Sequence, residues 1–311
     1  MVEIKNLYKN YGNVRAVRGI NFSIKGGEVV GFLGSNGAGK STTLKILSGY
    51  LTPSSGQVLI NGLDISNNSH EIKKIIGYLP ESNPLYHDMM VYDLLDFTAK
   101  VRGISKNKFK DALDKVVAQC GLNGVLHKSI GSCSKGYKQR VGLACAMIHD
   151  PKILILDEPV TGLDPNQIVE IRELIKNLGK EKLVLMSSHI LQEIEATVDR
   201  IIIIDKGKIV ADGSTKKIIK SNKGNINLFL EVSGAKKEDL KSLNDKIENI
   251  KITKVTKSKN GYSLNIEYDE KNDPREKLFN YIVKSKWSLL EMTPKSENLE
   301  DIFRKLTGNK N

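Results

Sequence analysis

Short apolar runs and amphipathic stretches alternate along most of the chain. Val2 to Leu7, Gly27 to Leu33, Gln57 to Ile60, Ile75 to Leu79, Ile153 to Asp157, Leu183 to Ser187, Arg200 to Ile204 and Lys208 to Asp212 read as strands. Helical spacing predicts helices over Ser41 to Ser48, Val91 to Arg102, Lys106 to Cys120, Lys138 to Ile148, Pro165 to Leu178 and Ile190 to Thr197. The helices between about 85 and 148 come as an uninterrupted group, which predicts a helical subdomain inserted in an α/β core. The polar stretch Lys220 to Asn225 then has the composition of a linker. Beyond it, strands are expected over Asn225 to Val232, Lys251 to Thr256, Tyr262 to Tyr268 and Trp287 to Met292. Helices are expected over Lys237 to Lys246, Pro274 to Lys284 and Asn298 to Leu306. That order, βαββαβ with a closing helix, predicts a small ferredoxin-like α+β domain. The division expected is therefore 1–220 and 221–311.

Chemistry enters at the glycine-rich segment Gly34-Ser35-Asn36-Gly37-Ala38-Gly39-Lys40-Ser41-Thr42, between a strand and a helix. Its spacing fits G-x-x-x-x-G-K-[ST], a loop whose backbone N–H groups point at phosphate oxygens. Gly34, Gly37 and Gly39 suit such a loop because a residue without Cβ allows a tight turn and a close approach to an anion. Lys40 is then expected to reach the β- and γ-phosphates and Ser41 to place its hydroxyl on Mg²⁺, with the helix N-terminus adding its positive end. Ile153 to Leu156 are four consecutive apolar residues followed by Asp157 and Glu158. A buried strand of this kind delivers its acids to the carboxyl edge of a parallel sheet, where ligands bind. One carboxylate can hold Mg²⁺ through water while the next polarises an attacking water, a hydrolytic arrangement.

Composition narrows the class. In 311 residues there is room for a nucleotide-binding domain and one smaller domain. The longest apolar runs, such as Ile201 to Ile204, are strand-sized, so no membrane span is expected. Met1 to Lys5 lacks a basic region followed by an apolar stretch, so no signal peptide is expected. Cys120, Cys133 and Cys145 show no metal-ligand spacing and point to reduced thiols in a cytosol. The net charge of +12 is spread over both parts of the chain. Lys106 to Lys110 and Lys216 to Lys220 read as solvated helix faces, and no aromatic-interleaved basic stripe suggests nucleic acid. His70, His87, His127 and His149 are scattered without ligand spacing. His189 differs, because it follows the apolar run Leu183 to Met186 and falls beside the expected phosphate site, within reach of a γ-phosphate or Glu158.

Together these motifs resemble the ATP-binding subunits of ATP-binding-cassette (ABC) transporters over residues 1 to about 220. Thr161-Gly162-Leu163-Asp164 resembles the D-loop, His189 the switch histidine, and Tyr11 in Tyr8-Lys9-Asn10-Tyr11-Gly12 the adenine-stacking aromatic. Tyr8 competes with Tyr11 for that stacking role. Cys133-Ser134-Lys135-Gly136-Tyr137 occupies the place of the signature L-S-G-G-Q, with Lys135 and Tyr137 replacing the usual Gly and Gln. Glu81 in Tyr78-Leu79-Pro80-Glu81 stands where the Q-loop usually has Gln; it keeps an acceptor for Mg²⁺ and loses an amide donor.

The resemblance implies an α/β ATPase using ATP and Mg²⁺, with Ser41, Asp157 and Glu81 toward the metal. Glu158, His189 and Lys40 take the catalytic roles. Ser134, Lys135, Gly136 and Tyr137 act in trans on a second ATP-binding subunit, either another copy or a paralogue, and Asp164 belongs to the D-loop. It further implies a separate transmembrane permease and a cytoplasmic place on the inner face of the membrane. The segments Tyr78 to Tyr86, Ser134 to Tyr137 and Lys295 to Phe303 resemble the gliding-motility-associated branch, with the multidrug and sodium exporter ATPases as near relatives. A soluble ABC ATPase acting on ribosomes or DNA is the alternative; such proteins usually carry two cassettes or long coiled-coil insertions, and neither is read here. A GTPase or small-molecule kinase is a third class, disfavoured because no N-K-x-D motif is present.

Overall fold

The computed structural model describes residues 1–222, 226–269, 271–295 and 299–308. They cluster into two compact units, Met1–Thr215 joined by the chain end from Leu306, and Lys216–Lys305. The first unit opens with β1 (Val2–Tyr11), β2 (Val14–Ile24), β3 (Val29–Leu33), α1 (Lys40–Leu47), β4 (Ser55–Ile60), β5 (Leu63–Asp64), α2 (Ser69–Ile75) and β6 (Ile76–Leu79). Three helices follow in succession, α3 (Val91–Val101), α4 (Lys106–Cys120) and α5 (Lys135–Met147). The unit continues with β7 (Ile153–Asp157), α6 (Pro165–Gly179), β8 (Leu183–Ser188), α7 (Leu191–Glu195), β9 (Arg200–Asp205) and β10 (Lys208–Gly213).

A six-stranded sheet in the order β10-β9-β3-β8-β7-β6 forms the centre, parallel except for the antiparallel β10 edge. Every residue of β3, β7 and β8 is buried, as apolar runs covered on both faces require. Their carboxyl ends bring the segments after Leu33, Asp157 and Ser188 to one edge. A second, antiparallel sheet has the order β2-β1-β4-β5. Side chains from both sheets share one core, including Leu7, Val17, Phe32, Leu44, Val58 and Ile202.

Several elements depart from the sequence reading. Strand β2 was not anticipated, because irregularities in its ladder with β1 bury Val17 and Ile20 three residues apart and break the alternation. Helix α2 buries only Ile72, too little to show a period, and takes Ile75 from the expected strand. Helix α5 starts at Lys135 rather than Lys138, since Ser134 caps it by accepting from the Tyr137 amide at 3.3 Å. Helix α7 is shorter than the expected Ile190 to Thr197. An eighth helix, α8 (Thr215–Asn222), covers the first part of the expected linker. Lys223, Gly224 and Asn225 lie outside the described residues.

The second unit contains β11 (Ile226–Ser233), α9 (Lys237–Lys241), α10 (Leu243–Lys246), β12 (Ile250–Ser258), β13 (Gly261–Tyr268), α11 (Arg275–Lys284), β14 (Ser288–Lys295) and α12 (Leu299–Leu306). The sheet order β12-β13-β11-β14, antiparallel throughout, is the ferredoxin-like arrangement expected. The expected helix Lys237 to Lys246 is broken at Ser242 into two short pieces. Leu228, Leu230, Val232, Leu264 and Ile266 on one sheet face pack with Leu278 and Ile282. Ser296, Glu297 and Asn298, part of the tail segment read above, lie outside the described residues. No helix among the described residues is long and apolar enough to cross a membrane.

A half-buried histidine is expected to make the first unit acid-sensitive. His149 Nε2 lies 3.0 Å from the Ile76 carbonyl, while Nδ1 has no partner. Burial, then the charge of Arg102, pushes its pKa down to about 4 from an ordinary 6.5. Between those values the unfolded chain binds the extra proton, so stability falls as pH drops from about 6.5 to about 4. Thermal midpoints measured across that window should decline less steeply in His149→Phe than in the parent; parallel curves would remove His149 as the cause.

Candidate nucleotide site

The segment from Gly34 to Thr42 joins the end of β3 to the start of α1 and is held by backbone as much as by side chains. The Ala38 amide bonds the Ser35 carbonyl at 3.1 Å, and the Gly207 amide bonds the Ala38 carbonyl at 2.9 Å. Gly39 has a φ of 109°, and a Cβ there would lie 2.6 Å from the Ala16 carbonyl oxygen, so both conformation and space call for glycine. Lys40 curls back over the loop, donating from Nζ to the carbonyls of Gly34 at 2.8 Å and Ser35 at 3.3 Å. Glu158 Oε1 is 4.0 Å from the same ammonium. Burial lowers the Lys40 pKa, partly offset by the charges of Glu158, Asp157 and Glu81.

Across the cavity, pairing of β7 with β8 sets Asp157 opposite Ser187. The Ser187 hydroxyl donates to Asp157 Oδ1 at 2.6 Å and accepts from the Glu158 amide at 3.0 Å. Ser41 Oγ donates to the same Asp157 oxygen at 3.2 Å, joining the phosphate loop to the acid strand. Glu158 leaves the strand in a left-handed conformation, φ 53°, which is uncommon for a residue with a Cβ and aims its carboxylate back at the loop. Its Oε2 accepts from Thr161 Oγ1 at 3.1 Å and lies 2.9 Å from His189 Nδ1. Glu158 is 5% exposed, whereas the His189 side chain is 44% exposed, so the pair has one inner and one outer member.

A cavity of about 460 Å³ is lined by Ser35, Asn36, Gly37, Gly39, Lys40, Ser41 and Thr42, with Ala16, Glu81, Glu158 and His189. Gly34 and Asp157 do not line it but are bonded to the lining residues Lys40 and Ser41, and Ala38 does not line it either. Tyr11, Ser134, Lys135, Gly136, Tyr137 and Asp164 do not line it. Tyr11 ends β1 with its ring 46% exposed and Lys9 Nζ 5.4 Å from the ring centre. Tyr8 instead packs its hydroxyl on Gly19, where a Cβ would come within 2.5 Å of it. Ser134 caps α5. Asp164 caps α6, accepting from the Gln167 amide at 3.0 Å, and Gln167 also packs against Gly136.

Two participants were missed by sequence reasoning. Ser187 ties both acids together, and its signal was a polar residue ending an otherwise apolar buried strand. Thr161 was read only as part of a loop motif. Cys120 and Cys145 have thiol pKa values pushed up by burial to about 12 and about 11, which disfavours the thiolate.

Comparison with known proteins agrees with this geometry. The family model described as ABC transporter matches residues 17–161. The bacitracin transport ATP-binding protein of Bacillus licheniformis is 35% identical over 99% of this chain and 97% of its own length. The linearmycin resistance ATP-binding protein of Bacillus subtilis is 32% identical over 99% of this chain and 98% of its own. A dimeric ATP-binding cassette solved in a post-hydrolysis state with ADP and phosphate is 25% identical. It superposes with a TM-score of 0.62, over 69% of this chain and 98% of that one. Kinship along the whole length, on top of a cradle built for phosphate beside paired acids, places the chain in the ABC transporter family as an ATP-binding, ATP-hydrolysing subunit.

Proposed function

We propose that Glu158 is the general base for hydrolysis, that two cassettes act as a pair, and that the work done is export of an antibiotic-like compound through a separate permease. The observation that carries the base assignment is the Glu158 carboxylate, buried, bonded to Thr161 and His189 and facing the phosphate cradle. Lys40 binds and neutralises the terminal phosphates, the loop amides orient them, and His189 holds the Glu158 carboxylate toward water. The donor set fits Mg²⁺: Ser41 Oγ and Asp157 Oδ1, both hard oxygens, converge at 3.2 Å, and Glu81 lines the same cavity. When bound, the ion neutralises charge developing on the β- and γ-phosphates.

The described residues hold one phosphate cradle and one signature helix, and the signature residues do not line that cradle. Ser134 and Gly136 are read as completing the site of a second subunit, and a related cassette is solved as a dimer. ATP closes the pair; hydrolysis adds like charge and reopens it. The permease docks near Glu81 and the helical subdomain, which sets the chain on the inner face of the membrane. The division 1–220 and 221–311 belongs to this proposal, with regulation or dimer contact in the latter, because every assigned site residue precedes Ile190.

Export of an antibiotic is favoured over gliding motility because two relatives matched along nearly their whole length are named for bacitracin transport and linearmycin resistance. Co-expression with its permease in a sensitive host should raise the inhibitory concentration of bacitracin or linearmycin, and Glu158→Gln should cancel the rise. Unchanged susceptibility to both would overturn export of these classes.

The exposed Tyr11 ring is assigned to the adenine. Tyr11→Ala should weaken ATP binding by about 1–3 kcal/mol, the worth of one base stacked on an aromatic ring, read by calorimetry. Equal affinity would move the role to another residue such as Tyr8.

A further inference from the structure

The segment after β6 does more than carry Glu81. Two residues on, half-buried Asn83 donates from Nδ2 to the Lys138 carbonyl of α5 at 2.9 Å. Its amide group lies over Gly142, where a Cβ would fall 2.0 Å from Nδ2, 2.5 Å from Cγ and 2.6 Å from Oδ1. Lys138 and Gly142 are four residues apart, so Asn83 engages a single helical turn at both its ends. Glycine inside a helix is unfavourable relative to alanine, and here the missing side chain makes the notch in which Asn83 sits. Nothing else is within reach of that notch at van der Waals distance closer than the Asn83 amide.

We infer that Asn83 is a positioning residue that fixes the register of α5 against the Glu81 segment, and so sets how Ser134 and Gly136 are presented. Glu81 lines the phosphate cavity and Ser134 caps α5. Asn83 is thus a short mechanical link from one to the other: a shift of the Glu81 segment is passed to the first turns of the helix through one amide. The inference rests on the reading that Ser134 and Gly136 serve the nucleotide of a second subunit. It assigns Asn83 no contact with ATP. Loss of the link should leave capture of ATP by a single chain intact and slow the step that needs two.

Four variants of the full chain test this: Asn83→Ala, the near-isosteric Asn83→Asp that cannot donate, Gly142→Ala that fills the notch, and the double variant Asn83→Ala with Gly142→Ala. Each single change should lower kcat for phosphate release by about two- to tenfold, the effect of one hydrogen bond, with the Kd for ATP of the isolated chain unchanged. The double variant should be no slower than either single, because Gly142→Ala does its damage by displacing Asn83. Parent-like kcat in both Asn83 variants, or a Gly142→Ala effect that multiplies undiminished in the Asn83→Ala background, overturns the link. Failure of the paired-subunit reading is separately visible: a Glu158→Gln chain that stays monomeric with ATP overturns that reading, whatever the Asn83 variants do.

Discussion

Glu158→Gln should bind ATP with parent affinity and release phosphate about 10²- to 10⁴-fold more slowly, the usual contribution of a positioned general base. The substitution keeps shape and the capacity to accept from Thr161, so the turn after β7 should persist. What it removes is the negative charge that draws a proton from water. Because the carboxylate is 5% exposed and lies 4.0 Å from the Lys40 ammonium, bulk water cannot readily substitute for it. Dimers should accumulate with ATP, since closure survives and reopening is stalled. Single-turnover phosphate release and size-exclusion chromatography read the two effects, and unchanged turnover would take the role of base away from Glu158.

What made Glu158 legible was its place after four apolar residues, since a buried strand that ends in acids leaves few bland explanations. The loop from Gly34 to Thr42 was legible for a related reason: each glycine answers a demand of the backbone, as at Gly39 against the Ala16 carbonyl. Ser187 and Asn83 were not. Each acts through an atom brought close only by the fold, Ser187 by the register of β8 on β7 and Asn83 by the packing of the Glu81 segment on α5. No local pattern encodes either contact. Strand β2 was hidden by bulges that shift its alternation, and α2 by having a single buried position. The start of α5 was misplaced by one turn because its first residues, Lys135 to Tyr137, carry no apolar period, and only the Ser134 cap marks the boundary. Asp164 shows the same double character, capping α6 within a motif read as functional.

Removal of the loop cation should abolish tight nucleotide binding. Lys40 is 6% exposed and donates to two carbonyls of its own loop, so its ammonium is already oriented before any phosphate arrives. ATP therefore meets a charge whose side-chain entropy has been spent in folding, which makes the contact worth more than an exposed lysine would give. Lys40→Met keeps length and removes the charge. It leaves Asp157, Glu158 and Glu81, whose charges all act on Lys40, facing an incoming polyphosphate with no opposing cation in the cradle. One lost charge-assisted hydrogen bond is worth about 1.5–3 kcal/mol, a weakening of roughly ten- to a hundredfold, and uncompensated repulsion pushes the result toward the upper end. The same repulsion distinguishes this variant from Glu158→Gln, which keeps affinity and loses turnover. Calorimetric titration of Lys40→Met with ATP, on protein shown by circular dichroism to be folded, is the measurement. A folded variant that binds ATP with parent affinity would mean that the loop amides alone hold the phosphates and that Lys40 serves only to close its own turn.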